Sequence, residues 1–107
     1  MFSMPVNAAR SPFIPTICLV EIVYLQEKGR ISSTLKTLLD AELRAGNSGL
    51  VLADLTGKVV DAIVHVPRLV VPDMPDRIIA ATALSLELPL LSRDRNMAAV
   101  EGLEVIW

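Results

Sequence analysis

Three acids stand where a sheet of parallel strands would present them together. Glu21 follows the apolar stretch that begins at Phe13, Asp76 opens a helix-forming segment, and Asp94 follows the apolar run 89–92. Open parallel sheets place ligands at the carboxyl ends of their strands. Carboxylates crowded at such an edge repel one another until protons or a cation offset the charge, and hard oxygen donors suit Mg2+ or Mn2+. An ion held there lowers the pKa of bound water and stabilises the oxygens of a phosphodiester under attack. Arg77, Arg93 and Arg95 lie beside the acids in the sequence, placed to hold a phosphate backbone.

Each of these residues, taken singly, has a structural explanation. Asp76 complements a helix dipole, Glu21 suits a solvated helix face, Asp94 suits the turn 92–96, and surface arginines are commonly solvated charge. Only the combination points to chemistry. His65 sits among valines and reads as a core-edge residue, and Cys18 reads as a small buried hydrophobe. Thr16 and Ser92 lack the histidine context of a hydrolase triad.

The elements that must position the acids follow from the apolar pattern. Residues 1–12 carry Pro5 and Pro12 without a period and read as an irregular arm, and residues 13–107 read as the domain. A strand over 13–19 leads into a helix that holds Glu21 and stops at Gly29. Ser32 or Ser33 caps a second helix carrying Leu35, Leu38, Leu39 and Leu43, with Gly46 and Asn47 beyond its end. A strand at 50–52 is followed by a helix capped by Thr56. Asp73, Pro75 and Asp76 mark the clearest helix start in the chain. Strands at 89–92 and 103–107 complete the alternation, which predicts an α/β domain with a mainly parallel sheet.

Composition sets bounds on this reading. The 107 residues suit one domain, and 52% hydrophobic with 21% charged residues excludes a disordered chain. Ten Lys and Arg against twelve Asp and Glu give a net charge of −2, so nucleic-acid contact requires a local basic patch. Cys18 and His65 are the only residues of their kinds, which excludes an internal disulfide and a zinc-finger ligand set. No apolar run reaches the length of a membrane span and the N-terminus has no signal-peptide core, so a soluble, cytoplasmic protein is expected. The high apolar fraction, with a mean hydropathy of +0.52, predicts a homodimer or another bound chain.

Three segments resemble the PIN-domain ribonucleases, most closely the VapC-type toxins of toxin–antitoxin pairs. Residues 14–22 with 27–31 look like a strand and following helix of that family. Residues 73–83, Asp-Met-Pro-Asp-Arg-Ile-Ile-Ala-Ala-Thr-Ala, look like its most recognisable stretch, and 89–95 with the closing Val105-Ile106-Trp107 look like its last acidic motif and final strand. The resemblance implies a three-layer α/β/α sandwich and a metal-dependent endoribonuclease, a hydrolase that cleaves RNA phosphodiester bonds through a metal-activated water. It implies Glu21, Asp76 and Asp94 as catalytic residues and ligands of Mg2+ or Mn2+, and it makes RNA the substrate of the pocket flanked by Arg77, Arg93 and Arg95. A cognate antitoxin and a homodimer are the implied partners.

Two departures from the family pattern accompany the resemblance. The family's first strand, which ends in an Asp, and the helix after it have no counterpart upstream of Phe13, so the domain is expected to be N-terminally incomplete. Three routes can cover the strand edges this exposes: the arm fills in, another chain supplies a strand, or the sequence starts downstream of the true start. Cys18 stands where the family often has a helix-capping Ser. The alternative function is a catalytically impaired or truncated PIN domain that only binds antitoxin or RNA, and a receiver-like domain is disfavoured because Lys58 is the last lysine.

Overall fold

The computed structural model describes residues 3–7, 12–46 and 49–106. Five short strands and five helices alternate through it: β1 (Met4–Pro5), β2 (Phe13–Pro15), α1 (Thr16–Glu27), α2 (Ser33–Ala45), β3 (Val51–Ala53), α3 (Gly57–Ala62) with a 3-10 turn (Ile63–His65), α4 (Met74–Leu86), β4 (Leu90–Leu91), α5 (Arg95–Ala98) and β5 (Val105–Ile106). They fold into a compact globule of mixed helices and strands with a radius of gyration of 13.6 Å.

The strands form two sheets: β2 pairs parallel to β3 in one, and the other has the order β1-β4-β5, with β4 parallel to β5. β1 runs against β4, with Met4 opposite Leu91 and Pro5 opposite Leu90, and an antiparallel bridge between Val6 and Pro12 joins this group to β2. In place of one mainly parallel sheet there are a parallel pair and a mixed three-stranded sheet, and the arm expected to be irregular contributes a strand. Chain length explains both: only five residues separate Val6 from Pro12, whereas a parallel neighbour requires a crossover of a dozen or more. Of the three routes for covering the strand edges, the structure displays the first.

Local chemistry sets the helix boundaries. Pro15 has no N–H to give a ladder, so it ends β2 and stands as the N-cap of α1, which starts at Thr16 rather than near Glu21. Ser32 Oγ accepts the Thr34 N–H at 3.2 Å to start α2, and Gly46, at φ 69°, closes it. Thr56 Oγ1 accepts the Val59 N–H to start α3. Asp73 caps α4, with Pro75 in the first turn. The strand expected over 103–107 is observed at Val105–Ile106; Trp107 and Asn47 lie outside the described residues.

α4 is the centre of the core. Its buried run Ile79, Ala80, Ala81, Thr82 and Ala83 joins Ile14, Cys18, Val59, Val66, Val71, Leu90 and Met97. The small alanines let α4 pack against α1, α3 and β1 together. Arg77 fixes its outer end: Nε donates to Val66 O at 2.9 Å and an Nη to Ile63 O at 3.3 Å, tying the first turn of α4 to the 3-10 turn. Among the described residues no helix is long and apolar enough to cross a membrane.

Candidate active site

Glu21, Asp76 and Asp94 arrive at one region from three elements. Glu21 lies in the second turn of α1, the helix that leaves β2, and Asp76 lies in the first turn of α4. Asp94 is the N-cap of α5, two residues after Ser92 at the end of β4, and its Oδ1 accepts the Asn96 N–H at 2.9 Å. α5 itself was not expected; the segment 92–96 reads as a turn because Asp94 is both a turn former and a cap.

The electrostatics show which of these charges act on one another. The Asp76 carboxyl is raised above the usual carboxylate range by partial burial first, then by the charges of Asp73 and Asp94 and a side-chain hydrogen bond with Asp73. Glu21 is also raised, by partial burial and then by the charges of Asp76 and Asp73. Asp76 is therefore the hub that couples Glu21 on one side with Asp94 on the other. Like charges this close make it harder for all to ionise at once.

Asp73, which the sequence presents only as a helix cap, is a fourth acid whose charge reaches this group. Its Oδ2 accepts the Asp76 N–H at 3.3 Å, which is the cap, yet its charge acts on both Asp76 and Glu21. The spacing Asp-x-x-Asp was the available signal: a capping side chain folds back over the first turn, where the second Asp stands.

Cys18 lies beneath the acids, buried inside α1 as its third residue. It is not at the cap position, which Pro15 occupies, so it does not take the place of a helix-capping Ser. Burial, then the charges of Glu21 and Asp76, push its thiol up to about 12. A thiol so held is not a nucleophile at neutral pH.

The three arginines part company. Arg77 is held by the carbonyls of Val66 and Ile63, so its guanidinium serves the packing of α4. Arg93 and Arg95 are exposed on either side of Asp94. His65, expected at the core edge, is exposed on the 3-10 turn. It lines a cleft of about 730 Å3 together with Leu84, Ser85 and Glu101, and none of the four acids borders that cleft.

The acids suit a hard divalent ion by type and by mutual repulsion. Among the described residues no three His, Cys, Asp or Glu side chains stand close enough to hold an ion between them. The donors are thus of the right type for a divalent ion, while the described residues offer no closed set of three ligands.

The PIN domain family profile matches residues 6–103. The chain belongs to the PIN domain family. Members of this family are generally nuclease-like, and this PIN domain begins its match inside the N-terminal arm, at the residue that follows β1. Neither the comparison with curated proteins nor that with solved structures found a match.

Proposed function

We propose that this PIN domain is a metal-dependent endoribonuclease of the VapC toxin type. The observation that carries the reading is the coupling of Glu21, Asp73 and Asp94 through Asp76, in a domain whose family is nuclease-like. Glu21, Asp76 and Asp94 would hold Mg2+ or Mn2+ with part of their contact made through waters of its shell, since the three do not close on one ion directly. The bound ion supplies an acidified water and stabilises charge on the phosphoryl oxygens.

The chain's own residues do the positioning. Asp73 keeps the first turn of α4 formed by accepting the Asp76 N–H, and so holds Asp76 where the charges of Glu21 and Asp94 reach it. Asp94 is fixed at the start of α5 by its own cap and by Ser92 Oγ, which accepts its N–H at 3.0 Å. Arg93 and Arg95 flank it and offer positive charge to the RNA backbone on either side of the scissile bond. Exposed apolar side chains at Val20 and Tyr24 on α1 and at Leu38 on α2 give the proposed antitoxin, or a second copy, a surface to cover. A cytoplasmic location belongs to the same reading.

One observation favours a second reading, a PIN domain that binds RNA or antitoxin without cleaving: the acids do not close to ligand distance of a shared ion. Cleavage of RNA by the folded chain with Mg2+ or Mn2+, with EDTA and an Asp76→Asn variant alongside, separates the two. The nuclease reading expects metal-dependent cleavage that EDTA abolishes and Asp76→Asn lowers at least about a hundredfold, the scale of losing a preorganised charge in the transition state. Absence of cleavage, or equal cleavage by Asp76→Asn, overturns it.

A further inference from the structure

The N-terminal arm reaches the acidic site through one pair of hydroxyls. Met4 faces Leu91 and Pro5 faces Leu90, so the same register sets Ser3 opposite Ser92. Val6 N–H donates to Pro89 O at 3.1 Å. Pairs along an antiparallel ladder alternate, which makes Ser3 and Ser92 a non-hydrogen-bonded pair, the kind whose side chains approach most closely. Their Oγ atoms meet at 2.7 Å, with Ser3 5% and Ser92 3% exposed.

Ser92 is also the residue that orders Asp94. Its N–H donates to Ile106 O at 3.0 Å, which pins it to β5, and its Oγ accepts the Asp94 N–H at 3.0 Å. A buried serine hydroxyl can rotate among the acceptors around it, and the position of its oxygen is set only when each of its partners is present. With Ser3 in place, Ser92 Oγ has a second partner besides the Asp94 N–H.

We propose that Ser3 is a positioning residue of the acidic site: acting through Ser92, it fixes the backbone of Asp94 and so the direction of its carboxylate. The relay stands on the hydrogen bonds alone, and its consequence for a metal rests on the function proposed above. It also makes the arm part of the site, since a chain that has lost β1 loses the partner of Ser92.

Amide hydrogen exchange on the full chain tests it, comparing wild type with Ser3→Ala and Ser3→Thr. The reference is the Val59 amide, which donates to Thr56 Oγ1 far along the sequence at the start of α3. Ser3→Ala is expected to speed exchange at Asp94 roughly tenfold, the scale of one net hydrogen bond, and to leave Val59 unchanged, while Ser3→Thr restores the wild-type rate. Unchanged exchange at Asp94, or an equal rise at Val59, overturns the relay, the latter because it reports global loosening. A parallel Mn2+ titration is expected to show weaker binding in Ser3→Ala than in wild type. Equal Mn2+ affinity in the two chains overturns the positioning role while leaving the nuclease reading intact. A wild type that binds no Mn2+ overturns the nuclease reading, and the exchange comparison then decides the relay by itself.

Discussion

α2 and α4 are both thirteen residues long, both start from a side-chain cap, and both end at a left-handed residue, Gly46 and Glu87. α4 buries five residues in succession, and α2 buries none. The leucine stripe of α2 is as regular as any in the chain, yet Leu38 is 62% exposed. Amphipathic pattern decides where a helix forms; what it packs against decides how firmly it is held. The acids follow this division, because Asp73 and Asp76 sit at the start of the helix that the whole core grips. A site that must keep like charges in place belongs on such an element.

The largest expected effect that separates the two helices is in the core. Ile79→Ala should destabilise the domain by about 2 to 5 kcal/mol, and Leu38→Ala by less than about 0.5 kcal/mol, measured by urea unfolding. Equal losses would mean that α2 is held as tightly as α4. A smaller effect concerns the cap: Asp73→Ala should lower stability by about 1 kcal/mol, while Asp73→Asn keeps the cap and removes the charge. Titration of the carboxyls by NMR should then show Glu21 and Asp76 shifting back toward the usual range in Asp73→Asn, and unchanged titration would remove Asp73 from the site.

The pH dependence sharpens the comparison further. Glu21 and Asp76 have raised folded-state pKa values, so each favours the folded state most at pH below the usual carboxylate range. That contribution is lost as pH rises through the raised values. The melting temperature should therefore drop over that window, and Asp76→Asn should flatten the drop. The smallest effect lies at the far end of α4, where Glu87 adopts φ 55°. Glu87→Gly should stabilise by about 1 kcal/mol through relief of that conformation.

Caps and acids were legible in the sequence because they act locally. Ser32, Thr56 and Asp73 each start the helix expected of them, Asp76 lies in the first turn of its helix, and Asp94 lies just after β4. The arm was not legible. Two prolines in a dozen residues argue against a central strand, and only the pairing with β4 and the short return to Pro12 overrule them. Arg77 shows the same limit from the other direction. Its place beside Asp76 suggested a phosphate contact, while the carbonyls that hold it come from residues 11 and 14 positions away.

The central claim is that Glu21, Asp76 and Asp94 act as one site for a divalent ion with Asp76 at its hub. A calorimetric titration of the chain with Mn2+ at neutral pH tests it most directly, with Asp76→Asn and Asp94→Asn measured beside it. One ion per chain is predicted, with binding abolished in Asp76→Asn and weakened in Asp94→Asn. No binding by the folded wild type, or the same binding by Asp76→Asn, would contradict the claim.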